Sequence, residues 1–258
     1  MLNRIIGVKP FISHIYSRAG AGLVLALLCT TAFAEPVAYV DEAEFHDALA
    51  QLGHTATHEG FEDDAAWGAT RSSIIDGFHP APSVSNLGMT WTSNYLAGGV
   101  TTGEGPVRSG VYGFYSYQHG SYESPDPGTD CSVPGECGDG FRGSPDSGVF
   151  IAMGGYIDTN TPYAKLGMFI GQYPDSPVDF GETCDPPDSE KCFSNSTIGT
   201  TPKFFGVIDE VGFDLFEYRE LEGKLEIDGG DIKYIFADDF YFAIGEPDRL
   251  FRDGFESQ

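Results

Sequence analysis

Apolar and polar positions recur along this chain with two different periods. Between residues 41 and 52, Phe45, Ala48, Leu49 and Leu52 are spaced by three and four, which places them on one face of a helix. Asp41 stands at the cap position, Glu44 follows three residues on, and Gly53 comes directly after the last apolar residue. The spacing therefore predicts one helix over 41–52, read as a plug across one end of a β core, with His46 beside its stripe as a boundary residue. Downstream the period shortens to two. Short runs rich in Val, Ile, Thr, Phe and Tyr alternate with clusters of Gly, Pro, Asn, Asp and Ser, and predict strands over 55–61, 83–92, 110–117, 148–157, 163–173, 203–208, 212–220 and 232–243. Two segments, 122–145 and 174–202, read as long loops. No internal repeat is visible. With 34 glycines, 16 prolines and a single helix, the predicted fold is all-β, an antiparallel, jelly-roll-like β-sandwich.

The last predicted strand breaks its own rule. Ile232, Tyr234, Phe236, Phe240, Phe242 and Ile244 alternate onto one face, and Asp238 falls on that same face, whereas Asp239 falls on the other. A carboxylate left unpaired among buried aromatic rings is costly. A bulge that turns Asp238 away, a cation or donor that binds it, or a break in the strand would each relieve the conflict. Calcium needs several oxygen ligands, and Asp238 with Asp239 supplies two sources of them. "EGFEDD" adds Glu59, Glu62, Asp63 and Asp64 at the end of an early strand, so that Glu62, Asp63, Asp238 and Asp239 form the candidate metal set. The alternative is a hydrogen-bonded acidic rim.

Charge and cysteines narrow the setting. The first 34 residues hold Arg4, Lys9 and Arg18, an apolar run over 21–28 and an Ala-x-Ala site at Ala32 to Ala34, so they read as a signal peptide. This leaves one β-sandwich domain over 35–245 and a tail over 246–258. The leader holds three of the 14 basic residues and none of the 39 acidic ones, so the remainder carries a formal charge of −28. Such a charge disfavours nucleic acid and anionic membrane surfaces as partners. No later stretch approaches the roughly 20 apolar residues of a membrane span, so the expected location is secreted or at the cell surface. Cys131 with Cys137 and Cys184 with Cys192 lie in the two long loops, and local disulfides within each pair are the expected connectivity of the three that four cysteines allow.

Chemistry is harder to place. The run "VYGFYSYQHGSY" over 111–122 is the best platform for a ligand: exposed tyrosines stack on sugar rings, which makes Tyr112, Tyr115 and Tyr117, with Trp91, the candidate ligand-binding residues. The opposing reading packs one side of this run in the core and the other on the rim. No G-x-S-x-G elbow, H-E-x-x-H helix or phosphate-binding glycine loop occurs, and among 39 carboxylates a pair at glycosidase spacing carries no information. No catalytic residue is predicted.

The order "FHDALAQLG", "HEGFEDD", "AKLGMFIG", "KFFGVIDEVGFDLFEYRELEGK" and "YIFADDFYFA" resembles secreted bacterial β-sandwich proteins of uncharacterised function, many of which carry PEP-CTERM sorting signals. The pairing of an early "FE" with a late "DDF" is also similar to carbohydrate-binding modules with a galactose-binding-like jelly roll. There, residues near both termini hold a structural calcium, which by resemblance points to Glu62 with Asp239 or Asp238. No PEP motif followed by a membrane helix and basic tail occurs. The closing "DRLFRDGFESQ" resembles a short tail found on exported proteins of Gram-negative bacteria, and reads either as a sorting signal or as a last docking strand. The expected protein is an exported, non-catalytic, calcium-stabilised β-sandwich that contacts extracellular glycan or matrix. The alternatives are a secreted polysaccharide hydrolase or lyase, and a self-assembling surface or biofilm protein.

Overall fold

A computed structural model describes residues 35–72, 79–93, 99–104, 107–117, 140–159, 164–171, 177–180, 191–193, 196–197, 202–222 and 234–246. Among them are fourteen strands and two short helices in two sheets, an all-β sandwich. The first sheet runs β1 (Val37–Tyr39), β12 (Lys203–Phe213), β8 (Val149–Thr159), β14 (Tyr234–Gly245), β6 (Gly113–Tyr117) and β5 (Val100–Gly103), with β2 (Thr57–Glu59) also on β14. The second runs β11 (Ser196–Thr197), β10 (Lys191–Phe193), β9 (Ala164–Ile170), β13 (Phe216–Glu222), β7 (Gly140–Pro145), β4 (Met89–Ser93) and β3 (Ser83–Asn86). Every pairing is antiparallel except that of β9 with β10.

Several element boundaries differ from the sequence expectation for local reasons. The run over 83–92 is a hairpin, because Leu87 and Gly88 both adopt positive φ (53° and 85°), as a two-residue hairpin turn demands. Residues 140–145, assigned to a long loop by their glycines and proline, form β7 in the middle of the second sheet. The glycine at 212 does not separate two strands; β12 continues through it to Phe213, and the turn falls at Asp214 and Leu215.

An aromatic layer fills the space between the sheets. Phe61, Trp67, Trp91, Phe114, Phe141, Phe216 and Phe240 are all fully buried, and Trp91 meets Phe240 edge-on at 5.0 Å between ring centroids. Burying side chains of this size stabilises by about 1.5–3 kcal/mol each. Gly155 on β8 makes the layer fit, since a Cβ there would stand 2.6 Å from the Phe240 ring.

The helix α1 (Glu42–Gln51) is capped as expected, with Asp41 accepting from the Glu44 N–H at 3.0 Å. It does not plug an end of the sandwich. Phe45 and Leu49 pack on Phe204, Ile208, Ala152 and Ala243, which alternate with core residues Phe205, Val207, Met153 and Phe242, so α1 lies on the outer face of the first sheet. No helix among the described residues is long and apolar enough to cross a membrane.

Candidate functional site

The break in the alternation of β14 resolves into a bulge. Along one edge β14 pairs with β8; along the other it pairs first with β6, over Tyr234 to Ala237, and then with β2, over Phe240 to Phe242. Asp238 and Asp239 sit where the partner changes. The register with β8 shifts between Asp238 and Tyr241, and Asp239 takes a left-handed φ of 47°, which aspartate adopts more readily than most residues. The gap between β6 and β2 is met by the segment 107–112, which supplies hydrogen-bond donors.

Asp238 is 1% exposed and takes three backbone donors. Its Oδ2 accepts from the N–H groups of Arg108 at 2.7 Å and Ser109 at 2.9 Å, and its Oδ1 from that of Asp239 at 2.8 Å. Burial nevertheless dominates and holds its carboxyl above the usual aspartate range, helped by the neighbouring charge of Asp239. Asp239, equally buried, takes side-chain donors: its Oδ1 meets His58 Nε2 and Ser109 Oγ, each at 2.8 Å, and its Oδ2 meets Arg108 Nη1 at 3.0 Å. Burial pushes this carboxyl up as well, but the bonds from Ser109, His58 and Arg108 outweigh it and leave the group below its ordinary value.

A polar ring surrounds Asp239 on the outer face, next to α1. Arg108 Nη2 donates to Glu42 Oε2 at 2.9 Å, and the guanidinium lies 4.0 Å over the Tyr156 ring. Tyr156 also donates to Glu42, at 2.8 Å, and burial together with that carboxylate pushes its hydroxyl up to about 12. Burial and Glu42 raise Tyr241 likewise. The His58 ring stacks on Tyr241 at 4.8 Å, while His46 meets the same tyrosine edge-on at 4.6 Å. The available ring faces of Tyr156 and Tyr241 thus carry the protein's own planar groups.

The early acidic cluster is divided among separate tasks. Glu62 Oε1 accepts from the backbone N–H groups of Val111 and Tyr112 at 2.7 and 2.8 Å. Asp63 caps the short helix α2 (Asp64–Trp67) by accepting from Ala65 N–H at 2.9 Å, and Asp64 pairs with Arg71 at 3.0 Å. Glu59 is buried, and accepts from Phe61 N–H, Trp67 Nε1 and Asn86 Nδ2. Two carboxylates from opposite ends of the chain therefore grip one segment: Asp238 holds the N–H groups of residues 108 and 109, and Glu62 those of 111 and 112.

That arrangement does not fit calcium. A calcium ion needs six to eight oxygen ligands converging on one point. Here N–H groups, which cannot ligate a cation, point at Asp238 and Glu62, and a guanidinium sits against Asp239. Among the described residues no three His, Cys, Asp or Glu side chains group as a metal site.

The aromatic candidates part company. Contrary to the sequence expectation, Trp91 is fully buried in the core between the sheets, so it cannot stack on a ligand. Tyr112 precedes β6 and is half-buried, with Arg71 lying 3.6 Å over its ring. Phe114 turns into the core, which leaves Tyr115 on the outer face. There it meets Phe236 edge-on at 5.0 Å, in a cross-strand row that reads Thr101, Tyr115, Phe236 and Asp158 across β5, β6, β14 and β8. Gly103 on the neighbouring β5 is required by the backbone, since a Cβ there would stand 2.6 Å from the Ser72 carbonyl oxygen. One step along the strands Tyr117 pairs with Tyr234 in backbone register; its side chain lies outside the described residues. The same is true of Cys131, Cys137 and Cys184, and of the side chain of Cys192 on β10.

Arg108, Ser109, His58, Glu42, Tyr156 and Phe236 were not singled out by sequence reasoning. The signal for Arg108 was its rarity, as one of 11 basic residues after residue 34 set in a turn-like "PVRSG". No protein-family model matches the chain, no curated protein is similar to it, and no solved structure matches it.

Proposed function

We propose that the protein is an exported, non-catalytic β-sandwich that contacts an extracellular polysaccharide through the outer face of its first sheet, and that its buried carboxylates hold the fold without calcium. The observation that carries the reading is the row of Tyr115 and Phe236 between Thr101 and Asp158, two half-buried aromatic rings fixed edge-on amid polar neighbours on a sheet face. Fixed rings stack on sugars at little cost in conformational entropy.

A hydrolase reading draws on the adjacent carboxyls of Asp238 and Asp239, whose proton affinities are pushed in opposite directions, as in an acid–base pair. Their burial at 1% and 2% exposure, and the donors already on each oxygen, favour the structural role instead. Binding of the purified protein to a panel of immobilised polysaccharides tests the proposal. The unaltered protein is retained by at least one polymer and the Tyr115→Ala, Phe236→Ala double variant passes through; retention of both alike, or of neither, overturns the reading.

A further inference from the structure

Six large hydrophobic side chains are exposed among the described residues, and three of them, Val37, Val40 and Leu52, lie in or just after β1 and α1. β1 is the edge of its sheet: β12 pairs with it on one side, and among the described residues no strand lies on the other. On the face that carries α1, Val37, Tyr39, Leu52 and Ile208 wall a cleft of about 220 Å³. This is smaller than the roughly 300–1,000 Å³ of small-molecule sites and suits a single large side chain.

One end of the cleft is acidic. Val37 pairs with Ile208 in antiparallel register, and Glu35 and Glu210, each two residues beyond that pair in the same direction, also line the cleft. Both are exposed, and no lysine, arginine or histidine joins them in the lining. A third carboxylate is felt there too, since burial and then the charge of Glu44 push the Tyr39 hydroxyl above its usual range.

These features select an occupant. A second copy laid along β1 would bring two such acidic edges together, in a chain whose formal charge is −25, and like charges across an interface oppose association. A strand added from a basic partner meets no such repulsion. It would gain backbone hydrogen bonds along the open edge, and its alternate side chains would fall on the cleft side. We propose that β1 takes up an extended segment of a partner protein, in which an apolar side chain enters beside Val37 and Leu52 and a lysine or arginine two places along meets Glu35 and Glu210.

Selection of random phage-displayed heptapeptides on the immobilised full-length protein tests this, followed by fluorescence anisotropy with a labelled copy of the selected peptide. The enriched sequences should place lysine or arginine two positions from an apolar residue, and should bind more weakly as salt rises. Glu210→Lys and Leu52→Ser, each with unchanged circular dichroism, should weaken that binding at least about tenfold. No enrichment, enrichment without basic residues, or equal binding to both variants and the unaltered protein would overturn the proposal. So would a dimer in sedimentation that the same variants dissociate, since it would put a second copy on the edge.

Discussion

Ser109 N–H donates to Asp238 Oδ2 at 2.9 Å across 129 residues of sequence, and Ser109 Oγ donates to the adjacent Asp239 at 2.8 Å. One residue of a turn thus satisfies both members of a buried acidic pair. Asp238→Ala should leave three backbone N–H groups without their acceptor and destabilise by about 3 kcal/mol, since each buried donor left unmade costs about 1–3 kcal/mol. The drop should appear as a lower urea midpoint with an unchanged slope.

Glu62 grips the other half of the segment from a more exposed position. Glu62→Gln keeps a carbonyl oxygen that can accept from both Val111 and Tyr112, and should be close to neutral in urea unfolding. Glu62→Ala removes the acceptor and should cost about 1 kcal/mol.

The two aspartates impose opposite pH dependences around the ordinary aspartate value of 3.8. Asp239 is lowered in the folded state, so its contribution is complete above 3.8 and is lost as pH falls through its folded pKa. Asp238 is raised, so its contribution is complete below 3.8 and is lost as pH rises through its own folded pKa. Unfolding free energies measured from pH 2 to 7 should show the gap between the unaltered protein and Asp239→Asn closing below about pH 3.8. A gap that stays constant on that limb would mean that the unaltered carboxylate gains nothing from its donors.

Trp91 belongs to the core and not to the ligand. Trp91→Ala should cost about 3–5 kcal/mol through the cavity it leaves. Trp91→Phe should cost clearly less, because it also removes a buried indole N–H that has no acceptor among the described residues. Folded Trp91→Phe protein should retain its polysaccharide binding, in contrast to the Tyr115→Ala, Phe236→Ala variant, for which a loss of at least about tenfold, or 1.4 kcal/mol, is expected in a binding titration.

Architecture was legible because periodicity and turn residues are local. The helical stripe of Phe45 and Leu49 could be read directly, and the conflict at Asp238 marked the place where the strand bulges; the single face expected for β14 is not kept, because Ile235 and Ala237 enter the core before the bulge and Phe240 and Phe242 after it, which leaves Phe236 on the outer face. What resolves that conflict was not legible. Arg108, Ser109 and His58 reach the pair from segments 129 to 181 residues away, and no local pattern encodes which donors will arrive. The same limit applies to Glu62, whose partners, the N–H groups of Val111 and Tyr112, lie 49 and 50 residues away. β7 was missed because Gly140, Gly143 and Pro145 read as a loop, although Gly143 lies between Phe216 and Met89 where a side chain would not fit.

Thermal unfolding of the purified protein before and after exhaustive chelation, with metal content verified, is the most direct test of the claim that protein donors alone hold Asp238 and Asp239. An unchanged midpoint, with no rise on adding calcium, is the predicted result. A midpoint that falls on chelation and returns with calcium would contradict it and restore the acidic pair as a metal site.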